Sequence, residues 1–213
     1  MSTLKEHLTR YYSLLLIGLF SFLTIGISAQ EYRSAEEAEG LQIGVNAPLF
    51  EAQQADSSIF SLGETLKNGP VVMIFYRGFW CPVCNKHLSN IQDSLKLIEE
   101  TGAKVIAVSP EKPEYLDVMA QKTGADFTLL YDEDYKIADA YDVSFKPSAT
   151  TLFTYNTILG AKLKKTHSDD SQRLPIPATY IVAPNGKIVW RQFDPDYKNR
   201  SNVSDILKAV ESI

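Results

Sequence analysis

Cysteine is scarce in this chain: two residues in 213. Two thiols cannot staple a disulfide-dense scaffold, and they are too few for a four-thiolate zinc site. Histidine numbers only three. Positive charge is in deficit, with 21 Lys and Arg against 26 Asp and Glu. No basic stripe runs along the chain, which argues against a general nucleic-acid binder. Internal repeats at solenoid periods are absent as well. What remains is ordinary for a folded domain: 45% hydrophobic, 22% charged and 11% aromatic residues, outside the disordered and low-complexity classes. The length suits one domain, or at most two small ones.

Residues 1–29 read as an address. Lys5 and Arg10 give a basic start, Leu14 to Ile27 is almost wholly apolar, and Ile27-Ser28-Ala29 supplies small residues for cleavage, the pattern of a secretory signal. The rival is an uncleaved membrane anchor, but the run is shorter than the roughly 20 residues that span a hydrocarbon core. The expectation is a periplasmic or secreted protein, with a membrane-anchored form as the alternative. Outside a reducing cytosol, two retained cysteines tend to pair.

Glu31 to Gly40 is polar and reads as a loose leader (residues 30–40), with one domain from 41 to 213. Gly44 to Phe50 reads as a loop entering a short strand. Val71 to Tyr76 is continuously apolar, as in a strand buried on both faces. Leu88, Ile91, Leu95 and Ile98 recur at helical spacing up to Gly102. Lys104 to Ser109 is a second buried strand, Pro113 opens a helix ending near Gly124, and Phe127 to Tyr131 is a third strand before a short helix through Tyr141. Phe145 to Pro175 reads as an insertion of partial structure, of unassigned role. Pro184-Asn185-Gly186 marks a hairpin between Thr179–Val182 and Ile188–Phe193, and Val203 to Val210 forms a closing helix capped by Asn202 or Ser204. Alternating strands and helices imply an α/β fold with a mostly parallel sheet covered on both faces, antiparallel at the hairpin side. Function belongs at the carboxyl end of a central strand.

Cys81-Pro82-Val83-Cys84 falls at that point, between the first buried strand and a helix. Free N–H groups and the positive end of the helix dipole stabilise a thiolate there. Lowering a thiol from about 8.5 to about 7 requires about 2 kcal/mol, within reach of a helix terminus plus Arg77. A spacing of three puts both sulfurs on one helical face, Pro82 suits the first turn, and Trp80 would shield the pair and offer a contact surface. Competing readings are a structural disulfide, whose short loop would constrain little chain, and a metal site joined by His87, for which further ligands are lacking. Haem attachment needs His directly after the second cysteine, where Asn85 stands. His87 itself reads as a helix-surface residue and His167 as part of a polar loop. No cofactor or metal is expected.

Three ordered segments, Phe75 to Asn85, Leu174 to Val182 and Asp194 to Arg200, resemble the peroxiredoxin-like branch of the alkyl hydroperoxide reductase/thiol-specific antioxidant family. The resemblance runs from about Leu41 to the C-terminus. It implies a thioredoxin-like fold, with a central mixed sheet, helices on both faces and a C-terminal hairpin plus helix, and thiol-based redox chemistry. It also implies that Pro177 faces the cysteines after a cis peptide bond; a proline merely opening a strand is the bland alternative. Departures are visible. The family's peroxidatic cysteine is preceded by a proline and a threonine; counting back from Cys84 gives Arg77 and Cys81, and from Cys81 gives Ile74 and Gly78. The family alignment makes Cys84 peroxidatic, whereas thioredoxin logic makes Cys81 the exposed nucleophile. The family's late arginine is replaced by Pro177-Ala178, leaving Arg77, Arg173, Arg191 and Arg200 as substitutes to stabilise the departing oxygen. Asp194 to Arg200 otherwise reads as a turn with local pairing.

The resemblance thus implies a thiol peroxidase: thiolate, sulfenic acid, then a disulfide re-reduced by a thioredoxin-like dithiol. The C-x-x-C and the missing threonine speak for the alternative, an extracytoplasmic thiol–disulfide oxidoreductase. A non-catalytic redox-sensing module is the third class. Expected partners are a hydroperoxide or disulfide substrate and the reductant, with homodimerisation left open.

Overall fold

The computed structural model describes residues 32–213; the expected signal segment 1–29 lies outside them. A hairpin of β1 (Glu51–Gln54) and β2 (Ile59–Ser61) leads through α1 (Leu62–Leu66) to β3 (Val71–Phe75). Then follow α2 (Pro82–Asp93), α3 (Leu95–Glu100), β4 (Lys104–Ser109), α4 (Pro113–Thr123), β5 (Thr128–Tyr131) and α5 (Lys136–Ala140). An excursion closed by the short strands β6 (Ser144–Phe145) and β7 (Leu174–Pro175) contains α6 (Ala149–Phe153), a π-helical turn (Thr154–Ile158) and α7 (Leu163–Thr166). The hairpin β8 (Ala178–Val182) and β9 (Ile188–Phe193) and the helix α8 (Val203–Glu211) complete the chain.

The main sheet runs β2-β1-β5-β4-β3-β8-β9. Only β3/β4 and β4/β5 pair in parallel, so the sheet is the mixed one that the resemblance implies, with antiparallel neighbours on both sides of a parallel centre and not at the hairpin side alone. The difference arises from β1 and β2. With only four residues in the polar β1 and three in β2, they carry too weak a period-two signal to be read as strands.

Every residue of β3 is buried, as its unbroken apolar run requires. Val72 and Ile74 face one way, into a core with Leu88, Ile91, Ile98, Leu116 and Ile206. Val71, Met73 and Phe75 face the other, against Ile106, Leu130, Tyr141 and Tyr180. Each such side chain contributes about 1.5–3 kcal/mol on burial. The helix expected through Gly102 is two helices, broken at Ser94 (φ −115°, ψ 7°); all four periodic residues stay buried across the break.

The segment read as a loose leader is packed from Tyr32 on. Arg33 pairs with Asp142 and donates to the Ser144 carbonyl at 2.8 Å. Arg191 donates to the carbonyls of Glu39, Gly40 and Leu41 at 2.9–3.1 Å, and Ala38 is buried. These partners lie over a hundred residues away, beyond any local pattern.

Candidate functional site

β3 ends at Phe75, Tyr76 extends its ladder by donating to the Val108 carbonyl at 3.0 Å, and the chain turns through Arg77–Trp80 into α2. Cys81 is the N-cap: its Sγ accepts the Cys84 N–H at 3.4 Å, and Pro82 follows at the first helical position. The two Sγ atoms stand 2.6 Å apart, close enough to join without backbone movement. Cys81 is 1% exposed and Cys84 0%. That corrects the expectation of an exposed Cys81: α2 docks on the sheet with Cys84 and Leu88 inward, so the pair goes under with the helix.

The sulfurs are not in an apolar void. Arg77, itself buried, directs Nη2 to Cys81 Sγ at 3.4 Å, and Arg200 directs Nη2 to Cys84 Sγ at 3.5 Å. Burial opposes ionisation of Cys84, but the hydrogen bond from Cys81 and the charges of Arg200 and Arg77 outweigh it and hold its pKa well below the ordinary thiol value. Cys81 keeps its proton: the hydrogen bond it shares with Cys84, burial and the adjacent thiolate all raise it, against Arg77. Of the two sulfurs, Cys84 is thus the one that gives up its proton more readily.

Further residues frame the pair. The Arg77 guanidinium lies 4.0 Å from the centre of the Tyr197 ring and 5.0 Å from that of Tyr155, and donates to the Tyr155 hydroxyl at 2.8 Å. Trp80 packs on Tyr155, ring centres 4.9 Å apart. Buried at 4% exposure, Trp80 shields as expected but offers no open contact surface, because its ring fills the gap between the cysteine loop and the excursion. Glu111, fully buried after β4, accepts the Phe79 N–H at 2.9 Å. Burial pushes its carboxyl well above the usual range. Gly78 has φ +150°, and a Cβ there would overlap Glu111 Oε1 and Trp80 Nε1. Tyr155, Tyr197 and Glu111 escaped the sequence reading. Glu111 could have been found, as an acid directly after a buried central strand; Tyr155 lies in a stretch without periodicity.

Of the candidate arginines, Arg77 and Arg200 come to the sulfurs. Arg173 is held instead by Asp139 at 2.7 Å and lies over the rings of Tyr135 and Tyr32, and Arg191 binds the N-terminal carbonyls described above. Pro177 precedes β8, whose Thr179 lies opposite Ile74, so it is at the cysteine end of the sheet. Among the described residues no peptide bond is cis, which corrects that expectation. Ile176 is fixed by donating to the Val143 carbonyl at 2.7 Å, and the chain enters β8 extended, as a strand-opening proline does. Asp194 to Arg200 is the locally paired turn expected, with Asp194 accepting from the Asn199 side chain at 2.7 Å and Arg200 Nε donating to the Tyr197 carbonyl at 2.6 Å.

Two histidine readings are corrected. His87 is buried, with Nε2 3.1 Å from both the carbonyl and the hydroxyl of Ser201; α8 and the segment before it cover the face of α2 assumed to be open. His167 is buried, its Nδ1 2.7 Å from the Tyr135 hydroxyl. Among the described residues no cluster of three or more His, Cys, Asp or Glu is arranged to hold a metal ion.

A sheet with a parallel centre that delivers two touching cysteines to a helix N-terminus, between two guanidinium groups, defines a thioredoxin-like thiol redox domain. The chain belongs to the AhpC/TSA family, whose pattern matches residues 43–191. It is 33% identical over 170 residues to the chloroplastic peroxiredoxin Q of Populus jackii, covering 80% of this chain and 68% of that one. A putative peroxiredoxin of Mycobacterium tuberculosis is 28% identical over 151 residues, 71% of this chain and 84% of its own. Among solved structures, the peroxidoxin BcpB of Mycobacterium tuberculosis superposes with a TM-score of 0.63 at 19% identity, over 81% of this chain and 98% of its own.

Proposed function

We propose that the protein is a thiol peroxidase acting outside the cytosol. The Cys84 thiolate attacks a hydroperoxide oxygen. The O–O bond breaks, the departing alkoxide takes a proton, and Cys84 becomes a sulfenic acid. The Cys81 thiol then attacks that sulfur, water leaves, and a Cys81–Cys84 disulfide remains. A thioredoxin-like dithiol returns it to the reduced state by exchange. The observation that carries this reading is a pair of cysteine sulfurs 2.6 Å apart, each with a guanidinium nitrogen within 3.5 Å. Those guanidinium groups would stabilise charge on the departing oxygen. Membership of the AhpC/TSA family supports it, as do relatives named peroxiredoxins. The basic and then apolar segment 1–29 supports the location, which cell fractionation tests.

The decisive assay sets hydrogen peroxide beside a protein disulfide as substrates for the purified protein with a dithiol donor. Peroxide consumption is expected to dominate. Cys84→Ser should abolish it, whereas Cys81→Ser should stop the reaction after one turnover with a sulfenic acid on Cys84. Full peroxide turnover by Cys84→Ser would defeat the assignment; faster turnover of the protein disulfide would install the oxidoreductase reading.

A further inference from the structure

Both sulfurs are closed to solvent, yet the proposed chemistry requires one of them to touch a peroxide and later a reductant. Part of the cover must therefore move. The covering elements differ in how firmly they are held. α2 buries Cys84, His87, Leu88 and Ile91. The Asp194–Arg200 turn is stitched internally by Asp194, Asp196 and Asn199 and followed by Ser201, which binds both His87 and Thr179. By contrast, neither α6 nor the π-helical turn after it contains a buried residue. Phe153 and Ile158 point outward, 65% and 72% exposed. Inward, Leu152 and Tyr155 pack on the cluster that contains the cysteines. A polar tie runs from Asn156 to the Leu163 N–H and the Gln172 side chain, each at 2.8 Å. Few buried apolar contacts mark a segment of low local stability. Its ends suit a hinge: Gly160 has φ +69° with open space where a Cβ would go, and the chain enters the helix through Ser148 in extended conformation. The π-helical turn matters as well, because the extra residue per turn, seen in Leu159 donating to the Thr154 carbonyl at 3.1 Å, re-aims side chains and is frequent at functional positions.

We propose that Tyr155 is the latch of a lid formed by residues 149–160, and that the Cys81 side of the pair is reached only when Tyr155 leaves Arg77 and Trp80. The hydroxyl of Tyr155 accepts from Arg77 Nη1 while Arg77 Nη2 touches Cys81 Sγ. The same residue therefore positions the guanidinium that faces the thiol and blocks the way to it. The inference rests on the thiol-redox reading only in requiring access to sulfur.

The test is alkylation of the reduced protein by iodoacetamide, followed cysteine by cysteine by mass spectrometry, in the wild type, Tyr155→Phe and Tyr155→Ala. Iodoacetamide takes the more acidic sulfur of the pair, Cys84, once reagent can enter; losing one hydrogen bond while keeping the ring should speed alkylation of the pair by about fivefold, and losing the ring as well by more than about tenfold. In wild-type protein, amide hydrogen exchange at residues 152–159 should exceed that at 84–91. Equal alkylation rates in all three proteins, or equal protection of the two segments, would overturn the latch. If Tyr155→Ala loses its far-UV circular dichroism, the phenylalanine variant and wild-type exchange decide alone. Peroxide turnover is not a readout. A wild type inactive towards peroxide whose Tyr155→Ala variant alkylates faster would sink the peroxidase reading and keep the latch; an active wild type with unchanged rates would do the reverse.

Discussion

At the scale of single residues, the balance of charge around two sulfurs decides the chemistry. Cys84 is fully buried, and burial alone would keep its proton on. Arg200 and Arg77, with the Cys81 thiol, reverse that. The consequence is a thiol that ionises well below its ordinary range. In wild-type protein the rate of Cys84 alkylation should therefore show no titration step between about pH 7 and pH 9, where an ordinary thiol titrates. Removing an opposite charge raises a thiol pKa. Arg200→Gln should move the step up towards that window and lower the rate at pH 7. A flat profile in that variant would remove Arg200 from the account. Arg77→Gln should act in the same direction on Cys84, and should in addition loosen Tyr155, which it no longer holds through a guanidinium.

At the scale of elements, the cysteine loop and α2 are arranged so that the helix need not unwind for the sulfurs to meet. Cys81 is already the N-cap, its Sγ accepting the Cys84 N–H. Oxidation should leave the amides from Asn85 to Ile91 as protected from exchange as in the reduced protein; a large loss of protection on adding peroxide would show that α2 has to open. The loop before it depends on Gly78. Its φ of +150°, and the carboxyl and indole that would crowd a Cβ, make Gly78→Ala a double insult of strain and overlap. It should destabilise by roughly 1–3 kcal/mol and slow peroxide turnover by displacing the Phe79 N–H from Glu111, with chemical denaturation and steady-state rates as the measurements. How much of this was legible in sequence differs by element. β3, β4, α4 and the closing hairpin announce themselves through unbroken apolar runs, Pro113 with Gly124, and Pro184-Asn185-Gly186. The cysteine pair announces itself by spacing and by the strand before it. The Tyr155 contact does not, because a π-helical turn has no periodic signature and its partner Arg77 is 78 residues away.

At the scale of the whole molecule, what the sequence could not disclose is which polar residues the fold takes inside. His87 and His167 look like surface residues because nothing local covers them; α8 with Ser201 covers the first, and Tyr135 with the excursion covers the second. That burial has a measurable effect on stability. Burial foremost, with the nearby Arg200 charge, lowers the His87 pKa to about 4, and burial lowers that of His167 to about 3. In the unfolded chain both titrate near 6.5. Above that pH neither state binds the protons, and the stability associated with the neutral rings is fully present. As pH falls from about 6.5 towards 4, the unfolded chain takes up two protons that the folded protein refuses at these rings, so their contribution to stability falls, while the buried carboxyls of Glu111 and Asp132, raised by burial, pull the other way. At 1.36 kcal/mol per unit, each histidine contributes on the order of 3 kcal/mol to the loss by pH 4, against a total of about 5–15 kcal/mol for a typical domain. Urea denaturation at pH 7.0 and pH 4.5 measures the drop. His87→Gln and His167→Gln should each be less stable than wild type at pH 7, since each loses a buried hydrogen bond. Each should also show a drop smaller by about 2–3 kcal/mol between the two pH values, because the group that bound the extra proton in the unfolded state is gone. A drop of wild-type size in both variants would mean that these rings titrate alike in the folded and unfolded chains, and that the fold opens around them far more readily than their burial implies.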